Sequence, residues 1–471
     1  MKGKSIAGNT LALFAMNAAS AVLTLVLTVF AARYLGEAGF GRYSFALAFT
    51  SLFVVFVPVG LDVLLAREVA RKRSLAARFL GNALSMHIVS SVLAFALMAG
   101  IVNLLAYPLD TRMAVYLMGF YVIFTSFGRL FKSVFQGFER MDYQAGVDFL
   151  SKAAIALLGV IVLFKGYGLV ALCAVFVLGG LLDFLLGYVL VRRSFTPMSL
   201  EADTKYWGEL LSQSFPIFLA YAFAMIYYKI DIFILSVLKG DAAVGVFSAP
   251  FRLMEGLTII PTSILVSLFP VLSRLHMSNR KSAARLYDLS IAFLVSLGLP
   301  IALGTTLLAE PIVGLFFGQA YSGSVQVLVV LVWAEFFLFL NNATGNMLKC
   351  VNRQGAHMWI IFSAAVANIV LNLLLIPSYG IMAAAYVALF TEFFVAACWF
   401  VYLRGVGYPF NSFGRVLKAV VGCALMVAAI GWLGPFGLLP TIALSGMLYV
   451  AVLLALGAFK WEELEGFFRG E

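Results

Sequence analysis

The feature that most restricts this chain is its succession of apolar runs, each about twenty residues or longer. A helix rising 1.5 Å per residue needs about that length to cross a hydrocarbon core about 30 Å thick. Unpaired backbone amides and carbonyls are not tolerated in lipid, so only helices and closed barrels span it. Barrel strands alternate apolar and polar residues over about ten positions, and these runs do not alternate. The predicted fold class is therefore an all-α polytopic membrane protein. Composition agrees. The chain is 63% hydrophobic and 11% charged, where a soluble domain is about half apolar and about a quarter charged.

Fourteen spans are predicted, at residues 6–32, 43–66, 79–106, 113–135, 145–164, 169–191, 215–238, 244–272, 286–309, 325–348, 358–376, 381–403, 416–433 and 438–459. Placing the N-terminus, with Lys2 and Lys4, in the cytoplasm puts most basic residues in cytoplasmic loops. Those loops carry Arg71, Lys72, Arg73 and Arg78, then Arg140, Arg192, Arg193, Lys205, Arg274, Arg280, Lys281, Arg285, Arg353, Arg404, Arg415, Lys418, Lys460 and Arg469. The outer loops carry Arg33, Arg42, Arg112, Lys165 and Lys239, a bias of about four to one in the sense of the positive-inside rule. The expectation is a multi-pass protein of the cell membrane with both termini cytoplasmic. The net charge of +10 then reports orientation, and no nucleic-acid partner is expected.

Several chemistries lack their motifs. There is no G-x-x-x-x-G-K-[ST] loop, so the chain carries no ATPase motor of its own, and no H-E-x-x-H. Cys173, Cys350, Cys398 and Cys423 have neither metal-ligand spacing nor a disulfide pattern. The first apolar segment is too long for a signal-peptide core. No catalytic residues, no metal and no cofactor are assigned, apart from a coupling Na⁺ or H⁺.

An internal repeat organises the chain. Gly41-Arg42-Tyr43-Ser44 with Pro58 is echoed by Gly245-Val246-Phe247-Ser248 with Pro261. Arg140, Gly166-Tyr167-Gly168 and Arg192 are echoed by Arg353, Ser378-Tyr379-Gly380 and Arg404. Six spans per repeat is an even number, so the halves share one orientation and are related by an axis along the membrane normal. The domains read as a six-helix bundle at 1–193, a cytoplasmic linker at 194–212 and a second six-helix bundle at 213–405. Two further helices and a tail occupy 406–471. The linker is expected to hold a short interfacial helix around Tyr206-Trp207. Paired pseudosymmetric bundles point to alternating access around a shared cavity.

The run Val244-Gly245-Val246-Phe247-Ser248-Ala249-Pro250-Phe251-Arg252-Leu253, with Pro261 and Leu268-Phe269-Pro270-Val271-Leu272-Ser273-Arg274, resembles the polysaccharide-exporter branch of the multidrug/oligosaccharidyl-lipid/polysaccharide superfamily. Tyr227-Tyr228-Lys229-Ile230-Asp231, Asn368-Ile369-Val370-Leu371-Asn372 and Ile376-Pro377-Ser378-Tyr379-Gly380-Ile381 share that likeness. The resemblance implies a flippase that moves polyprenyl-diphosphate-linked oligosaccharide from the inner to the outer leaflet. Its implied partners are that lipid, membrane lipids, and glycosyltransferases or a polymerase of the same pathway.

Such a task needs a hydrated polar cavity, because sugar hydroxyls and phosphate charges cannot enter hydrocarbon without their water. A diphosphate favours cationic groups, and Arg can grip it with two parallel hydrogen bonds. Ionisable residues inside spans are the candidates. Arg252 and Lys229 are assigned toward the diphosphate, with Arg129 and Lys132 as its first contact from the cytoplasmic side. Asp231, Glu255, Glu335 and Glu392 are counter-charges or cation-coupling groups. The alternatives are structural. Lys229, Asp231, Arg252 and Glu255 could pair and lock two helices, and Lys132 could snorkel to the surface. Asp148 and Lys152, four apart, are expected to pair with each other. Tyr221, Phe223, Tyr227 and Tyr228 would stack on sugars or simply pack. The competing function is a cation-coupled exporter of drugs or metabolites. A polyprenyl-phosphate-using enzyme ranks last, since no catalytic constellation is present.

Overall fold

The computed structural model describes residues 4–57 and 60–459. Lys2, Pro58, Lys460 and Arg469 lie outside the described residues. The helices are α1 (Lys4–Val54), α2 (Leu61–Arg71), α3 (Ala76–Leu104), α4 (Leu109–Gly137), α5 (Met141–Phe164), α6 (Gly168–Ser194), α7 (Thr204–Lys239) and α8 (Asp241–Leu257). They continue as α9 (Ile259–Ser278), α10 (Arg280–Leu307), α11 (Ala309–Phe316), α12 (Ser324–Cys350), α13 (Gln354–Gly405), α14 (Phe413–Leu433) and α15 (Leu438–Ala455).

Among the described residues, twelve helical segments are long and apolar enough to cross a membrane. Two of them are double length. α1 runs 51 residues and α13 runs 52, about 75 Å each against a core of about 30 Å. Each contains one glycine that breaks the helical dihedrals: Gly36 at φ 66°, ψ 178° and Gly380 at φ 59°, ψ −136°. Only glycine occupies such regions without strain. Each long helix is therefore long enough for two crossings folded at that glycine, which brings the count close to the expected fourteen.

Two crossings differ from the continuous spans expected at 43–66 and 244–272. The first is interrupted between Val54 and Leu61, where Gly60 adopts φ 77°. The second is interrupted at Thr258, between α8 and α9. Pro261 stands in the first turn of α9. Its ring would clash with the carbonyl four residues back, at Leu257, where α8 ends.

Backbone departures recur along the chain. Left-handed residues fall at Gly36 and Gly240, Ala106 and Gly318, Glu139 and Asn352, and Gly168 and Gly380, members of each pair lying 204 to 213 residues apart. The helix-ending residues Lys72 (φ −149°, ψ 96°) and Asn279 (φ −148°, ψ 89°) match as well. The Gly41 and Gly245 segments also meet in a reciprocal way. A Cβ on Gly41 would lie 1.8 Å from the Asp241 carbonyl oxygen, and one on Gly245 would lie 2.0 Å from that of Glu37. Arg42 Nε donates to Asp241 Oδ2 at 2.8 Å beside this crossing.

Packing divides the chain into two compact units, residues 1–245 and 246–471. The expected linker lies inside the first. It is fastened to α3: the Asp203 amide donates to Asn82 Oδ1 at 2.9 Å, and Asn82 Nδ2 donates to Glu201 Oε2 at 3.0 Å. Tyr206 and Trp207 form no separate interfacial helix. They lie in the first turn of α7, which continues through the seventh span. Asp203 caps that turn by accepting from the Tyr206 amide at 3.1 Å. That bond, with help from Arg78, holds the Asp203 carboxyl below its ordinary range. In the second unit α14 and α15 pack on α10 through Met426, Ile430 and Tyr449. Tyr449 Oη donates to the Ser296 carbonyl at 2.6 Å.

Candidate functional site

The first unit holds a partly open cavity of about 560 Å³ lined by charged, polar and apolar side chains. Helical periodicity builds it. On α4, Tyr121, Thr125, Arg129, Lys132 and Gln136 recur every three or four residues and so share one face. Gln144, Asp148 and Ser151 do the same on α5. Asp183 faces the cavity from α6, Asp62 from α2 and Tyr221 from α7. The helices approach closely because the residues between them are small. A Cβ on Gly179 would lie 2.1 Å from Ile155 Cγ1, and one on Gly128 only 1.7 Å from Asp183 Oδ2.

Lys132 is the centre of charge. Its Nζ lies 2.7 Å from Asp148 Oδ1 and 3.0 Å from Asp183 Oδ1. The residue is only 8% exposed, so it does not snorkel to the surface. Asp148 pairs with Lys132 across helices, not with Lys152 along its own, which corrects the expectation from spacing. Arg129, one turn back, has its Nε buried with no hydrogen-bond partner. Sequence reasoning singled out Arg129 and Lys132 and left Gln136 and Gln144 unread. These two form an amide pair at 2.9 Å, and their spacing on the same faces was the available signal.

The other assigned residues distribute between the units. Lys229 and Asp231 lie on α7 in the first. Asp231 is 3% exposed, and its Oδ1 accepts from the Ile232 amide at 3.2 Å. Arg252 and Glu255 lie on α8 in the second and form an ion pair of 2.7 Å, as their three-residue spacing suggests. Glu335 on α12 and Glu392 on α13 are both buried there. Asn341 Nδ2 donates to Glu392 Oε2 at 2.7 Å and to the Glu392 carbonyl at 3.0 Å. Glu335 Oε1 and Asn341 Oδ1 are buried acceptors with no hydrogen-bond partner. Tyr221 borders the first-unit cavity, whereas Tyr227 and Tyr228 pack on each other with ring centroids 5.1 Å apart.

The model for the polysaccharide biosynthesis protein family matches residues 6–276, more than half of the chain. The chain belongs to that family. The MatE family model also matches, at residues 216–374. A Shigella flexneri protein named "Putative O-antigen transporter" is 24% identical over 368 residues, 76% of this chain and 87% of that protein. A Haloferax volcanii protein named "Probable low-salt glycan biosynthesis flippase" is 23% identical over 160 residues, 34% of each. The chain thus spans only a third of that archaeal relative. Among solved structures, a lipid II flippase in an inward closed conformation superposes with TM-score 0.79 at 15% identity, covering 97% of this chain and 100% of that one. That likeness establishes a shared fold. Its spans and family make this member a multi-pass membrane protein.

Proposed function

We propose that this family member is an alternating-access flippase that carries polyprenyl-diphosphate-linked oligosaccharide from the inner to the outer leaflet for glycan assembly. The observation that carries the reading is a large, charged, hydrogen-bonding cavity set among apolar crossings. Polar groups left without partners at membrane depth are costly, so such a cavity exists to hold something hydrated. A sugar-diphosphate headgroup is the cargo that the family's chemistry supplies. The relatives named as glycan flippase and O-antigen transporter support the same cargo.

In this reading the two repeats are the rocking halves, with residues 406–471 added outside them. Arg252 and Lys229 face the diphosphate, while Arg129 and Lys132 line the hydrated chamber for the headgroup. Asp231, Glu255, Glu335 and Glu392 act as counter-charges or take up a coupling Na⁺ or H⁺. The buried acceptors Glu335 Oε1 and Asn341 Oδ1 support that role in the second unit, because a proton or a cation would satisfy them. The termini lie on the cytoplasmic side of the cell membrane, and the working partners are the glycosyltransferases or polymerase of the same pathway.

The test is leaflet-resolved transport. Vesicles holding the purified chain and a lipid-linked oligosaccharide, probed from one side with a membrane-impermeant lectin, should expose substrate over time. Arg252→Ala and Lys229→Ala vesicles should lag about tenfold or more, the cost of a lost charge-assisted contact. Equal rates in wild-type and empty vesicles would overturn the reading. The MatE match over residues 216–374 favours one rival, a cation-coupled small-molecule exporter. That rival predicts uptake of a lipophilic cation driven by an imposed Na⁺ or H⁺ gradient, with no lectin-detectable lipid movement.

A further inference from the structure

The first-unit cavity has a charge balance that separates it from a phosphate site. Its walls hold three cations, Arg129, Lys132 and Lys152, and three carboxylates, Asp62, Asp148 and Asp183. The formal sum is zero. Two of the carboxylates stand within hydrogen-bond distance of Lys132, so its charge is already answered. A diphosphate entering here would meet those oxygens at close range and lose its own water for no net attraction. A neutral ligand faces no such penalty.

Beside Val63, Ile155 and Gly179, the remaining lining carries side chains that hydrogen-bond without a net charge, together with the Arg129 donor. The Gln136–Gln144 amide pair lies beside the serines and threonine of α4 and α5, and Arg129 Nε is a buried donor without a partner. Sugar hydroxyls likewise donate and accept, and amides, carboxylates and guanidinium groups match them without a change of net charge. Tyr121 and Tyr221 add aromatic surface at the border of the same cavity, suited to the apolar face of a pyranose ring. The volume of about 560 Å³ lies within the range of about 300–1,000 Å³ usual for ligand pockets.

We infer that the first-unit cavity is the glycan subsite, binding an uncharged, hydroxyl-rich sugar of the lipid-linked substrate while the diphosphate is held elsewhere. The inference rests on the flippase reading and divides that cargo between two places. Gly128 is a positioning residue in this arrangement. Its missing side chain leaves room for the Asp183 carboxylate to reach Lys132.

Two probes test it on the full chain in nanodiscs: polyprenyl diphosphate without sugar, and the same lipid bearing an uncharged hexose–N-acetylhexosamine disaccharide. The wild type should bind the sugar-bearing lipid about tenfold more tightly, the worth of one or two well-made hydrogen bonds. Gln144→Ala and Arg129→Gln should shrink that gain to about threefold or less, and so should Ser151→Leu, which fills the cavity from α5. Lys229→Ala should weaken both probes alike and keep the gain. An unchanged unfolding temperature in the cavity variants shows that they are folded. The assignment is overturned if the disaccharide adds nothing to wild-type affinity. It is also overturned if Arg129→Gln weakens the bare diphosphate as much as the sugar-bearing lipid. A wild type that binds neither probe overturns the flippase reading, and this inference falls with it.

Discussion

At the scale of single residues, Lys132 shows what a buried charge costs and what keeps it there. Its side chain is 10% exposed and that of Asp183 only 4%, so the ammonium persists because two carboxylates surround it. Removing one member of such a cluster leaves the others uncompensated, typically at about 3–5 kcal/mol. Lys132→Met should therefore lower the unfolding temperature markedly in detergent. Adding Asp183→Asn to it should recover much of that loss, since fewer bare carboxylates remain. If the double variant is less stable than the single, the three side chains are not one electrostatic unit. The sequence made Arg129 and Lys132 visible as cations on one helix face. It could not make Asp183 visible as a partner, because that residue lies 51 positions away. Spacing rules see contacts within a helix, which is why Asp148 was matched to Lys152 when the stronger neighbour stood across the bundle.

At the scale of elements, the crossings were legible and their interruptions were not. Apolar length fixes where a helix must cross, but a break depends on a few dihedrals. Ser378-Tyr379-Gly380 read as a turn, and Gly380 folds α13 there. Its dihedrals lie close to a region that is essentially restricted to glycine, so Gly380→Ala should destabilise the fold by about 1–3 kcal/mol, seen as a lower unfolding midpoint. The breaks near Gly60 and Thr258 escaped notice, since the apolar runs continue straight across them. The Asp203 cap gives a pH effect at this scale. Its folded-state pKa is lowered by the Tyr206 amide and by Arg78, so its stabilisation is present at neutral pH. It is lost as pH falls through that lowered value. Protection of the amides in the first turn of α7, taken relative to their intrinsic exchange rates, should fall under acid, and Asp203→Asn should be less protected than the wild type at pH 7 and respond less to acid. An acid response of equal size in the variant would remove the cap as its source.

At the scale of the whole molecule, charge placement carried the most information and internal packing the least. The positive-inside count depends on loops alone, so it was available before any fold. Reporter fusions should place Glu139 and Asn352 on the cytoplasmic side and Gly166 and Gly318 outside, and one inverted result would break the alternation. The division of the chain at Gly245 could not be read beforehand, because it follows from which surfaces touch. Gly245 itself touches the Glu37 carbonyl so closely that no side chain fits. Gly245→Val should reduce lectin-detected transport by about tenfold or more, since overpacking at a tight crossing costs about 1–3 kcal/mol. Transport at the wild-type rate would show that the crossing has room to spare.

The mutual crossing of the Gly41 and Gly245 segments also bears on how such a chain can evolve. Each position is kept small by the main chain of the other's copy, not by its own surroundings. On the reading that the two segments are repeats of one ancestral sequence, they could diverge in almost every other side chain, yet neither could acquire a larger residue here without obstructing its twin. Chains that keep this crossing should retain both small residues together, or surrender them together when the helices move apart.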